Sequence, residues 1–120
     1  MDVLSRRAFK KDGLDYRVSR YEDIDADVSY LEGHRLAAWE RGVFGHIGVE
    51  VEISIDRAHW VSQYTLGRAS RWGIEWVDGV NDEYVRGIEG ELIEEAEGEL
   101  AKTVAAVCAL KEREHGEHSS

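Results

Sequence analysis

From Ile47 to Ile55 the odd positions are Ile47, Val49, Val51, Ile53 and Ile55, and the even ones are Gly48, Glu50, Glu52 and Ser54. Strict alternation rich in β-branched residues predicts a strand with one buried and one wet face. Asp56 to Ala58 read as a short turn. Trp60, Tyr64 and Leu66 then share one parity, and Trp72, Ile74 and Trp76 continue it past residues 67–70. This predicts one long bent strand, or two strands joined at Gly67. Either would pair antiparallel with residues 43–55 and place Trp60, Trp72 and Trp76 under a helix, and Asp78-Gly79 closes the segment. Leu14, Tyr16 and Val18, alternating with Asp15, Arg17 and Ser19, read as a short edge strand.

Two segments carry helical spacing instead. In residues 25–41, Val28, Leu31, Leu36 and Trp39 recur at three- to five-residue steps, Asp23 or Asp25 can cap the start, and Gly42 suits the left-handed end. From about Asn81 to Arg113 a continuous seam runs through Tyr84, Val85, Ile88, Leu92, Ala96, Leu100, Thr103, Val107 and Leu110. Asn81 or Asp82 would be its N-cap. The fold class is therefore α+β: a small antiparallel sheet of two to three strands, packed with a short helix and a long C-terminal helix. Residues 1–13 read as a mobile basic head ending at the turn signal Asp12-Gly13, residues 14–113 as a single domain, and residues 114–120 as a frayed tail.

Composition narrows the function classes. A chain of 120 residues with 42% apolar content has room for one cored domain. One cysteine, Cys108, excludes an internal disulfide and fits a reducing cytoplasm. No apolar run approaches the roughly eighteen residues of a membrane span, and the basic start lacks the apolar stretch of a secretory signal. Residues 1–20 carry +3, leaving −13 on the rest of a chain of net charge −10. Such a body repels phosphate backbones, which argues against direct nucleic-acid binding. The basic head would bind acidic partners or, the simpler reading, fold back on its own body.

The run Ala38-Trp39-Glu40-Arg41-Gly42, then Val43 to Ile55, then Arg71-Trp72-Gly73-Ile74-Glu75, resembles a group of small uncharacterised proteins of actinobacterial phages and prophages. There a helix ending in an AWxRG-like stretch leads into a GV-containing strand, and a later strand ends in LWGIES. This chain differs in Arg71 before the tryptophan and in Trp76-Val77-Asp78 where Ser-Asp is usual. The resemblance spans about residues 36–95. It implies a small α+β fold and a phage origin, hence a host cytoplasm, and it brings no activity.

Candidate chemistry is sparse. Gly45-His46-Ile47-Gly48 has the spacing of a nucleotide-clamping GxxG loop, but it opens a strand and is followed by Glu50 and Glu52, so a strand entry with a bulge is the better reading. His46, Glu50 and Glu52 share the wet face and, with His59, would form a mixed N/O cluster. Without tight ligand spacing it assigns no metal and no cofactor. Catalytic motifs are lacking, Cys108 reads as a buried inert thiol, and the four tryptophans read as core.

The long helix carries the functional readings. Residues 82–99 hold eight acidic residues against one basic, Arg86. Glu83, Glu91, Glu94 and Glu97 form an acidic face that is either solvated or imitates a phosphate backbone. Residues 100–110 are apolar nearly all round, and Gly98, Ala101, Ala105 and Ala109 offer a small-residue side for close helix packing. That half is either sheathed by its own domain or packs on another helix. The leading expectation is a non-enzymatic accessory protein working by protein–protein contact with a host protein, and dimeric through this helix. The alternatives are an acidic nucleic-acid mimic that inhibits a host defence protein, and an enzyme with a site around His46, Glu50, Glu52 and His59.

Overall fold

A computed structural model describes residues 3–55 and 65–118, with backbone only from residue 114. Two nine-residue strands, β1 (Val3–Lys11) and β2 (Leu14–Glu22), flank Asp12-Gly13. Both turn residues have positive φ, 53° and 78°. That is the two-residue turn whose twist matches a β-hairpin, and an Asp-Gly pair is its usual sequence. Helix α1 (Gly33–Glu40) follows, then β3 (Gly45–Ser54), β4 (Thr65–Trp76) and helix α2 (Asp82–His118). The strands form one antiparallel sheet in the order β1-β2-β3-β4.

The fold is thus α+β with a long C-terminal helix, as the periodicity predicts, but the sheet has four strands and not two or three. The extra strand is the segment read as a mobile head, and Val3–Lys11 pairs with β2 along its length. β2 is consequently interior, not an edge. α2 continues to His118, through most of the stretch expected to fray. α1 is shorter than the 25–41 expectation. Asp27 instead accepts a bond from the Ser29 N–H at 2.9 Å, and Asp23 accepts one from Gly73 N–H at 2.9 Å. Side chains of the type that cap helices are spent here on holding an irregular segment. Gly42 does take the expected left-handed conformation, φ 75°.

α2 packs across β3 and β4. The core lies between them: Val18, Ile47, Val49, Val51, Ile53 and Ile74 from the sheet, and Val85, Ile88, Leu92 and Ala96 from the helix. Gly67 allows close approach. A Cβ built there would sit 2.3 Å from the Ala96 carbonyl oxygen, so only glycine fits.

The parity reading of residues 60–76 fails at two places. Register shifts between Ile47/Val49 and between Ile53/Ser54 each give β4 one extra residue. A β-bulge reverses which side chains face the core. Gly67, Ala69 and Arg71 therefore face α2, as do Ile74 and Trp76 beyond Gly73 (φ 72°). Trp72 is turned to the opposite face, stacks on Tyr21 and covers Gly48. Trp60, Tyr64 and the turn at 56–58 lie outside the described residues.

Candidate functional site

The even face of β3, expected to be wet, is largely covered. His46, Glu52 and Ser54 are buried, and Glu50 is half-buried. Arg17 of β2 donates to Glu52 Oε1 at 2.8 Å, and Arg68 of β4 reaches Glu52 Oε2 at 3.5 Å and Glu50 Oε1 at 3.8 Å. Burial, and a hydrogen bond with Glu52, hold the Glu50 carboxyl above its ordinary range. For Glu52 burial acts the same way, but the bonds from Glu50 and Arg17 outweigh it and hold the group below. The opposite shifts make Glu52 the more acidic of the pair, the carboxylate clasped by arginines. This is an ion-pair cluster spanning β2, β3 and β4.

His46 belongs to a separate network. Tyr30 donates its hydroxyl proton to Glu75 Oε1 at 2.6 Å, which leaves its oxygen to accept from His46 Nε2 at 2.7 Å. That assigns the ring proton to Nε2. Arg35 of α1 also holds Glu75. The bond from Tyr30, helped by Arg35 against the opposing effect of burial, keeps Glu75 below the usual carboxylate range. The network ties the 23–32 segment and α1 to β4. His59 lies outside the described residues. Among the described residues no three His, Cys, Asp or Glu side chains are grouped to hold a metal.

The acidic face of α2 is distributed unevenly. Glu97 accepts from Lys11 Nζ at 2.9 Å and from the Tyr16 hydroxyl at 2.8 Å. Glu91 accepts from Arg71 at 2.8 Å, and Glu95 pairs with the same guanidinium at 3.4 Å. Glu89 and Asp82 accept from Arg20. Glu83 and Glu94 are exposed. The sheet thus supplies cations from β1, β2 and β4 that neutralise much of the first half of the helix, and the basic N-terminal strand lies against its own body. The pairing partners are 20 to 86 residues apart in sequence, so no local charge pattern announces them.

The second half of α2 is the opposite case. Among the described residues, the last hydrogen bond from this helix to the sheet is from Thr103 Oγ1 to the Leu66 carbonyl, at 3.2 Å. Beyond it the helix continues for fifteen residues to His118, roughly 22 Å at the usual rise. The core seam continues with it. Val104, Val107 and Leu110 are 51%, 51% and 58% exposed, although the same stripe at Leu92 and Ala96 is fully buried. Gly98, Ala101, Ala105 and Ala109 are exposed too, on the side away from the sheet. Cys108 is also exposed, a correction to the buried thiol read from its apolar neighbours. Of the two arrangements open for this half, sheathing by its own domain does not occur among the described residues.

No helix of the described residues is long and apolar enough to cross a membrane. No family model, curated protein or solved structure matches the chain.

Proposed function

We propose that this chain is a non-enzymatic accessory protein that acts by protein–protein contact, and that its contact surface is the projecting half of α2, where a second copy of the chain binds. The observation that carries this is the apolar seam continuing past the end of the sheet with Val104, Val107 and Leu110 exposed. Monomeric surface helices keep such positions polar. Four carboxylates within residues 94–99 precede the apolar stretch, and the mixed charges Lys111, Glu112, Arg113 and Glu114 follow it, so the apolar seam is the part of this half that seeks a partner.

Burying the exposed halves of Val104, Val107 and Leu110 contributes about 1 kcal/mol each. Two copies therefore gain roughly 6 kcal/mol from these anchors, near the lower end of what association costs. The dimer is accordingly weak and concentration-dependent. Light scattering across a concentration series is expected to climb from 13.6 kDa toward about twice that mass. Val107→Glu and Leu110→Glu, both on the seam beyond the sheet, should hold the mass at the monomer value. A wild type that stays monomeric at every concentration overturns the proposal.

The resemblance of residues 36–95 to phage proteins supports a phage-encoded origin and a host cytoplasm. The mimic reading is weaker than the sequence makes it, because Glu91 and Glu97 are already engaged by Arg71, Lys11 and Tyr16.

A further inference from the structure

Because α2 lies over β3 and β4, a cleft stays open beside the helix along β1 and the adjoining edge of β2. A cavity of about 480 Å³ occupies it, with Arg6, Arg7 and Arg20 from β1 and β2 and with Asp82, Arg86 and Glu89 from α2 among its lining residues. Five of these charges form a chain. Arg7 lies 3.7 Å from Glu89, Glu89 lies 3.2 Å from Arg20, Arg20 lies 2.7 Å from Asp82, and Asp82 lies 3.0 Å from Arg86. The signs alternate and both ends are guanidinium. The central arginine is consumed by its two carboxylates, whereas the end residues are exposed, Arg7 at 55% and Arg86 at 72% of the side chain.

A network built only to staple helix to sheet needs balanced charge. Arg6 turns its guanidinium to the other sheet face, where it donates to Ser19 Oγ and the Tyr21 hydroxyl, so the charge chain has three guanidiniums against two carboxylates, an excess of one positive charge within a chain of net −10. Arg7 makes no hydrogen bond to Glu89 at 3.7 Å, and its guanidinium rests 5.4 Å above the Phe9 ring, which leaves its fork of donors facing solvent. Arg86 uses its Nε on Asp82 and keeps both terminal nitrogens.

We propose that this cleft binds a small molecule bearing a phosphate group, whose dianion is held between Arg7 on the sheet edge and Arg86 on the helix and closes the charge chain into a ring. Two forks approaching from opposite walls suit the several oxygens of a tetrahedral phosphate, whereas a planar carboxylate is satisfied by one fork. The volume is that of a small-molecule site. Long nucleic acids are disfavoured, since the surrounding acidic body would meet every added phosphate. A single dianion inside the cleft is screened from that body beyond about 8 Å at physiological salt.

The test is calorimetric titration of the full chain with orthophosphate, pyrophosphate and glycerol 2-phosphate in turn, at constant ionic strength. At least one should bind, and Arg7→Gln combined with Arg86→Gln should weaken it by about tenfold or more. Arg86→Lys, which keeps the charge and removes the fork, should lose an intermediate amount. Both end residues are exposed, so circular dichroism should show the variants folded. Tighter binding of the ester than of orthophosphate identifies an organic phosphate as the ligand class, and the reverse order identifies free phosphate. The proposal is overturned if none of the three binds at millimolar concentration, or if the double variant binds as well as the wild type.

Discussion

Replacing Gly67 with alanine adds one methyl group at a tight contact between sheet and helix. The new Cβ would lie 2.3 Å from the Ala96 carbonyl oxygen and 3.2 Å from both the Ala96 carbonyl carbon and Leu100 Cβ. An ordinary carbon–oxygen contact is about 3.3–3.6 Å, so the overlap is about 1 Å. The obstacle is helix backbone, which cannot swing aside as a side chain can. α2 must therefore lift off β4, and a gap of that size forfeits a quarter to a half of each affected contact among Ala69, Leu92, Ala96 and Leu100. Overpacking of this kind costs about 1–3 kcal/mol, while losing a strand glycine returns about 0.5–1 kcal/mol. The net expectation is a loss of about 1 kcal/mol, or roughly 4 °C in Tm for a chain of this size. The same substitution at Gly90, on the outer side of α2 with nothing within 4 Å, should raise stability by about 1 kcal/mol. Urea unfolding followed by far-UV circular dichroism, with unchanged slope, measures both. Equal stability of Gly67→Ala and the wild type would mean that α2 does not rest on β4 as described.

Two further outcomes follow from the ion pairs beneath the helix. Arg20→Leu leaves Glu89 buried with Arg7 at 3.7 Å as its remaining cation, and should cost about 3 kcal/mol in urea unfolding; adding Glu89→Leu should recover most of it. Tyr16 ionises only at about 12, raised first by burial and then by its hydrogen bond to Glu97, so ultraviolet titration of the five tyrosines should show a late phenol that Tyr16→Phe removes, with Tyr30 also raised, by burial and its bond to Glu75. Because its folded pKa lies above the unfolded value near 10, its contribution to stability is complete below pH 10 and is lost as pH rises toward 12. Glu97→Gln should move that phenol only part of the way back, since burial is the larger cause.

The readable parts of this sequence are those where one physical requirement acts on neighbouring residues. The alternation at 47–55 gave β3, the three- and four-residue steps gave α2, and the apolar stretch 100–110 marked the helix end that no described residue of the domain sheathes. β1 was missed because an edge strand exposed on both faces has no alternation to show; Arg6, Arg7, Lys10 and Lys11 sit on both sides of it. Its usable signal was Asp12-Gly13 between segments of equal length, a hairpin turn. The wet face of β3 was misjudged because Arg17, Arg68, Tyr30 and Trp72 reach it from other elements, and Trp72 does so only through a bulge at Gly73. The charge chain in the cleft was likewise hidden, for it joins Arg7 and Arg20 to Asp82, Arg86 and Glu89 across more than sixty residues.

Amide hydrogen exchange across a protein dilution series tests most directly whether the projecting half of α2 is a contact surface. Residues 104–113 should exchange quickly in dilute solution and slow progressively as concentration rises, while the buried half of the helix around Leu92 and Ala96 stays protected throughout. Exchange at residues 104–113 that is fast at every concentration would contradict that role.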